Sequence, residues 1–128
     1  MAERCIPTVL LFQSVSKLLK GDAPDSLTHL SLSKGDMAAF DVDTIAFASE
    51  IAREAVAPSL ETITKTDDTV VQSKAAWKPG AETIYGAGMF TAGAGDLLQV
   101  FHEWAASVTF EASDEVTETM KIQSKQGA

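Results

Sequence analysis

Residues 85–108 read YGAGMFTAGAGDLLQVFHEWAASV and join a glycine-rich run to the most apolar helical pattern in the chain. Four glycines fall within residues 86–95, and Asp96 with Gln99 three positions later has the spacing of a helix N-terminal capping box. Leu97, Phe101, Trp104 and Val108 then follow at i, i+4, i+7 and i+11. The pattern predicts a flexible glycine connector followed by an amphipathic helix, with a close-packing surface at Gly88 and Ala92 or a mobile lid as alternatives for the glycine run.

Helical signals also occur elsewhere in the chain. Pro7 and Gly21 bracket VLLFQSVSKLLK, in which Leu11, Val15, Leu18 and Leu19 form one stripe that we expect to be buried. Residues 44–57, TIAFASEIAREAVA, have helical composition and period, and Pro58 should end that helix. Residues 25–34 permit either a short helix or a short strand and favour the helix, and residues 69–77 predict a short capped segment.

These elements predict an all-α fold, a single-domain bundle of four to five helices over residues 1–128 with a loose tail at 124–128. The alternative is an α+β fold with a C-terminal β-hairpin near 108–123. That region is rich in β-branched residues, and Val108, Phe110 and Ala112 alternate.

The net charge of the chain indicates which classes of molecule it can bind. The formal net charge is −8, and residues 36–68 alone contribute −6, from eight acidic and two basic side chains. An acidic surface repels nucleic acid and anionic membranes, so we expect no nucleic-acid partner. Glu50, Glu54 and Glu61 instead form a candidate acidic face for a basic protein.

The sequence contains partial matches to motifs for catalysis and for cofactor or metal binding, but each of them lacks an essential residue. The string HEWAA at 102–106 lacks the second histidine of HExxH, and the glycine run lacks both the third glycine of GxGxxG and the lysine of a phosphate loop. In a helix His102 would have no carboxylate three or four residues away, so we interpret it as structural. The sequence therefore predicts no catalytic residue, no cofactor and no metal.

We expect a non-enzymatic structural or protein-interaction subunit that self-associates as a homo-oligomer. Aromatic and methionine side chains around small residues are typical of an interface, and the candidates are Trp77, Tyr85, Gly88, Met89, Phe90, Ala92, Phe101 and Trp104. One alternative is a carrier whose core holds a small apolar ligand against Met89, Phe90, Phe101 and Trp104. The other is an acidic adaptor or inhibitor that covers a basic protein.

The single cysteine, Cys5, cannot form an internal disulfide, which favours the cytoplasm or another reducing compartment. Residues 1–20 lack the long apolar core of a signal peptide, and no uncharged apolar window reaches the ~18 residues of a membrane span. Export without an N-terminal signal is compatible with the same sequence.

Overall fold

The computed structural model describes residues 3–23 and 25–124, which form two antiparallel β-sheets and one α-helix. The elements are β1 (Arg4–Pro7), α1 (Val9–Lys20), β2 (His29–Ser33), β3 (Glu54–Ala55), β4 (Ser59–Glu61), β5 (Thr69–Trp77), β6 (Thr83–Phe90), β7 (Leu98–Thr109) and β8 (Val116–Gln123). The five-stranded sheet has the strand order β1-β7-β6-β2-β3, and the three-stranded sheet has the order β4-β5-β8.

The all-α prediction is therefore wrong. The segments expected to be helices at 25–34, 69–77 and 96–108 contain β2, β5 and β7, and residues 44–57 are irregular apart from the short β3. The predicted C-terminal hairpin is also wrong, because β7 belongs to the five-stranded sheet and β8 to the three-stranded one. The predicted loose tail lies outside the described residues, apart from Ser124.

The inner face of the five-stranded sheet packs against the three-stranded sheet. The inner cluster consists of the buried residues Leu30, Leu32, Trp77, Ile84, Ala87, Met89, Val100, Phe110 and Met120. Trp77 lies on β5 and Met120 on β8, so the cluster joins the two layers. This is the arrangement of a β-sandwich.

The outer face of the five-stranded sheet is also covered, by residues 34–53. The outer cluster consists of the buried residues Met37, Phe47, Phe90, Leu98 and Phe101. The ring of Phe47 meets that of Phe90 edge to face at 5.4 Å between centroids. Phe40, packed against this cluster, meets Phe101 in the same way at 5.5 Å. Because both faces of β6 and of the first half of β7 are buried, these stretches lack the apolar–polar alternation of a half-exposed strand.

Two glycines of β6 permit the close approach of neighbouring layers. A Cβ atom on Gly86 would collide with the backbone oxygen of His102 and would lie 2.6 Å from Sδ of Met37. A Cβ atom on Gly88 would lie 2.6 Å from Cδ1 of Leu98 and 2.7 Å from Cζ of Phe47. The flexible connector predicted for the glycine run is therefore wrong for Gly86 and Gly88, which lie within β6. The neighbours of Gly88 are side chains of the same chain rather than an approaching backbone.

The helix predicted after Pro7 is confirmed as α1. Gly21 ends it in the left-handed conformation, with φ of 105°, and its N–H bonds to the carbonyls of Lys17 and Leu18. The expected burial of its apolar stripe is wrong, however. Every residue of α1 is at least partly exposed, and Leu19 is 82% exposed. None of the helices among the described residues is long and apolar enough to cross a membrane.

We expect Gly86→Ala to destabilise the protein by about 1–3 kcal/mol, because the added methyl group meets backbone on β7 that cannot move aside. Urea unfolding measures this loss. Gly35→Ala is the matched control: a Cβ atom there meets nothing within 4 Å, so its effect should stay within about 0.5 kcal/mol. Equal stabilities of the two variants would contradict the packing described for β6.

Candidate functional site: an exposed apolar face on the helix

The largest exposed apolar side chains of the described residues concentrate on α1 and β4. We call this surface the α1 face and define it by Phe12, Val15, Leu18 and Leu19 of α1 and Leu60 of β4. Their side chains are 51%, 48%, 63%, 82% and 61% exposed, in that order. Single exposed apolar residues are ordinary on a protein surface, whereas a contiguous group rimmed by polar residues marks an interaction site.

The position of α1 follows from how its first turn is held. The hydroxyl of Thr8 donates a 2.6 Å hydrogen bond to the carbonyl of Leu98, and the Thr8 N–H bonds to the carbonyl of Gln99 at 2.9 Å. The N–H of Val9 bonds to the carbonyl of Val42 at 2.7 Å. The helix is therefore anchored at its start, beside β7, while its last turn projects with Leu18 and Leu19 exposed.

Among the cavities that residues of α1 line in the described part of the chain, two are mainly apolar grooves. The larger, of about 470 Å³, separates α1 from β4, and its apolar lining includes Leu11, Val15, Leu18, Leu27, Pro58, Leu60 and Val70. The smaller, of about 290 Å³, lies on the β8 side and is lined by Cys5, Pro7, Leu11, Phe12, Val15, Val100, Lys121, Ile122 and Gln123. The α1 face thus combines projecting side chains with apolar depressions.

Charges of both signs border the α1 face. Lys17 and Lys20 stand in the last turn of α1, and Asp22 follows just after the helix. Lys20 pairs loosely with Asp22, at 3.6 Å between Nζ and Oδ2. Asp25 lines the larger groove. The rim offers both cations and anions to a bound partner.

The predicted interface residues lie on both faces of the five-stranded sheet, in the inner and the outer cluster and next to them. Met89 and Trp77 are buried in the inner cluster, with Trp104 packed against it. Phe90 and Phe101 are buried in the outer cluster, with Tyr85 packed against it. Gly88 is buried within β6 and Ala92 is partly buried in the turn that follows. These eight residues form no common surface.

The residues proposed to line a carrier cavity are separated in the same way. Met89 and Trp104 belong to the inner layer, whereas Phe90 and Phe101 belong to the outer cluster. The four side chains lie on opposite faces of one sheet and do not line a single cavity. Among the described residues, the apolar depressions large enough to hold a ligand include the two grooves beside α1.

The candidate acidic face is largely engaged within the chain. Glu50 accepts hydrogen bonds from Arg53 at 3.1 Å and from the Ser31 hydroxyl at 2.5 Å. Glu61 pairs with Lys121 at 2.8 Å. Glu54 lies on β3, and because residues 44–57 are not a helix, Glu50 and Glu54 do not share a helical face.

Arg53 holds the turn that contains the second half of the glycine run. Its guanidinium, 5% exposed, donates to the carbonyls of Ala92 at 3.0 Å and Gly95 at 2.7 Å. It also stacks over Phe90, with Cζ 3.8 Å from the ring centroid. Together with the pair to Glu50, these contacts tie residues 92–95 to the outer layer.

His102 on β7 lies between two carboxylates. Its Nδ1 lies 2.5 Å from Oε1 of Glu118 on β8, and its Nε2 lies 3.3 Å from Oε1 of Glu3. The hydrogen bond that the ring donates to the Glu118 carboxylate is the main cause that raises the pKa of His102 above its usual 6.5. Burial opposes this shift, and the Glu3 carboxylate adds to it. Neither carboxylate is a local neighbour in sequence, so helical spacing around His102 could not reveal them.

The same surroundings raise the pKa of the Cys5 thiol. Partial desolvation contributes most, and the carboxylates of Glu118 and Glu3 add to the shift, although the residue itself is exposed. No group of three or more His, Cys, Asp or Glu side chains in the described part of the chain is placed to hold a metal ion.

Comparison with known proteins identifies no relative: no family model, curated protein or solved structure matches this chain.

We expect Arg53→Lys to lower the free energy of unfolding by about 1.5–3 kcal/mol, because an ammonium group cannot reproduce the planar fork that reaches Glu50 and two carbonyls. Urea unfolding measures the loss, and faster amide exchange across residues 92–95 should accompany it. Lys20→Arg, at a side chain that is 78% exposed, is the control and should be neutral. Unchanged exchange in Arg53→Lys would refute the tethering role.

Proposed function

We propose that this chain is a non-enzymatic protein-interaction subunit that self-associates, and that the α1 face is the contact between copies. The observation that carries the proposal is an amphipathic helix whose apolar side chains are uncovered, with Leu19 82% exposed. Burying one leucine contributes about 1.5–3 kcal/mol, so covering this face offers a substantial driving force.

Shape supports a second copy as the occupant. The α1 face carries projecting side chains, Leu18 and Leu19, beside an apolar groove of about 470 Å³. In a two-fold symmetric contact each copy presents the same surface, so a surface that holds both projections and depressions is complementary to itself. The side chains of one copy fill the groove of the other.

Charge supports the same occupant. The rim of the α1 face carries Lys17 and Lys20 together with Asp22 and Asp25. A two-fold contact lets the lysines of one copy meet the aspartates of the other. A strongly basic partner would instead leave the lysines facing like charge. In the two-fold arrangement, the lysines and the aspartates of the rim all face groups of opposite charge.

Light scattering behind a sizing column tests self-association up to about 100 µM, a range that detects the weak contacts expected of one small surface. We expect the wild-type mass to rise with concentration. Leu19→Lys should weaken the association at least about tenfold, because it removes an apolar contact of more than 1.4 kcal/mol. A lysine in the last turn of a helix is favourable to the helix itself, so the monomer should stay folded.

Val108→Lys is the matched control for this experiment. Val108 is also exposed, at 45%, and lies near the C-terminal end of β7, whereas α1 is anchored beside the N-terminal end of that strand. The control adds the same charge and should associate like the wild type. A wild-type chain that remains monomeric throughout, or two variants weakened equally, would overturn the proposal.

A further inference from the structure

The edges of the two sheets meet beside His102. Cys5 on β1 is the register partner of His102 on β7, and β8 forms one edge of the three-stranded sheet. Glu3, Cys5 and His102 line one cavity of about 370 Å³ together with Thr119, Met120 and Lys121 of β8. The imidazole therefore stands where the five-stranded sheet, the start of β1 and β8 come together.

The two carboxylates that contact the ring differ in their burial. The side chain of Glu118 is 6% exposed and also accepts a hydrogen bond from Nε1 of Trp104 at 3.3 Å. The side chain of Glu3 is 63% exposed and precedes β1. The first carboxylate is held firmly within the sandwich, and the second is held mainly by the ring.

The other charged and titratable groups near the ring come from three strands. Lys74 on β5 is the register partner of Glu118. Lys121 on β8 lines the shared cavity but pairs with Glu61. Cys5 on β1 completes the set, while the neighbouring Arg4 pairs with Glu103 at 2.6 Å.

Protonation decides how many carboxylates the ring can hold. An imidazolium donates from both nitrogens, whereas a neutral imidazole donates from one and presents a lone pair at the other. The short contact to buried Glu118 keeps the remaining proton on Nδ1. The Nε2 lone pair then faces the Glu3 carboxylate, which it repels.

We propose that His102 is a protonation-dependent latch that holds the Glu3 end of β1 against the edge of β8. The imidazolium bonds both carboxylates and closes the seam between the sheets. Loss of the Nε2 proton releases Glu3 and the start of β1, while the bond between His102 and Glu118 remains.

The direction of the pH dependence follows from the raised pKa of His102. The latch is fully closed below the ordinary histidine pKa of 6.5 and opens as the pH rises through the higher pKa of the folded protein. The raised pKa of Cys5 keeps its thiol neutral over this interval, so the thiol does not add a second charge change.

The latch also bears on the seat of α1. β1 continues through Pro7 and Thr8 directly into the helix, and Cys5 and Lys121 line the smaller groove beside Phe12 as well as the cavity at His102. Releasing β1 therefore loosens the wall on which α1 rests. The latch acts within the folded chain and does not depend on self-association.

Amide hydrogen exchange of the whole chain at about pH 6.0 and about pH 8.5, corrected for the intrinsic effect of pH, tests the latch. We expect protection of the β1 amides to fall about two- to fivefold at the higher pH, the size of one partly exposed ion pair. Amides of β8 around Glu118 should keep their protection. An NMR titration should place the His102 pKa above 6.5.

Two variants sharpen the test. Glu3→Gln should remove the pH dependence while keeping β1 protected, because an amide accepts from the imidazolium and donates to the neutral ring. His102→Gln should leave β1 weakly protected at both pH values. Glu3 is exposed, so Glu3→Gln remains informative even if His102→Gln fails to fold.

His29→Gln is the control, since His29 contacts Thr28 and lies on β2, away from the seam. It should retain the wild-type response. Equal β1 protection at both pH values in the wild type, a response that persists in Glu3→Gln, or equal loosening of β1 and β8 would each overturn the latch.

Discussion

The fold depends on covering both faces of one sheet. β6 and β7 carry large apolar side chains to the inner cluster and to the outer cluster, so the five-stranded sheet needs a layer on each side. The three-stranded sheet supplies one layer and residues 34–53 supply the other. Gly86 and Gly88 make this possible, because side chains there would collide with β7 and with Phe47. The outer layer is irregular, so arginines complete it: Arg4 donates to the carbonyls of Met37 and Phe40, and Arg53 holds Glu50.

This architecture explains how the acidity of the chain is used. The most acidic segment, residues 36–68, contains the outer layer and β4, and two of its carboxylates are neutralised by cations of the same chain. Half of the large apolar residues that are exposed in the described part of the chain lie on α1, which is anchored through Thr8 and Val9 and leaves its last turn exposed. The α1 face is therefore separate from the residues that build the core. A surface of this kind can change without disturbing the fold.

His102 and the α1 face have a structural connection through β1. β1 pairs with β7 over four residues only, from Arg4 to Pro7, and leads at once into the helix. So short an edge strand gains little from its own ladder, and the side chains at its ends matter correspondingly more. Arg4 fixes one face of the strand to Glu103 and the outer layer, while Glu3 and His102 act at the seam with β8. The position of α1 therefore depends in part on how stably β1 is held.

The sequence by itself determined α1, because its stop signals and apolar period are local and Gly21 ends it as expected. It offered close packing at Gly88 and Ala92 only as an alternative to a flexible connector. It did not determine β6 or the first half of β7, since strands buried on both faces lose their alternation and resemble core helices. It did not determine β5 either, although that strand is only partly buried. Tertiary structure alone decided three features. The apolar stripe of α1 is exposed, β7 and β8 belong to different sheets, and Glu3 and Glu118 both contact His102. These features depend on contacts between residues far apart in the chain, which no local pattern records.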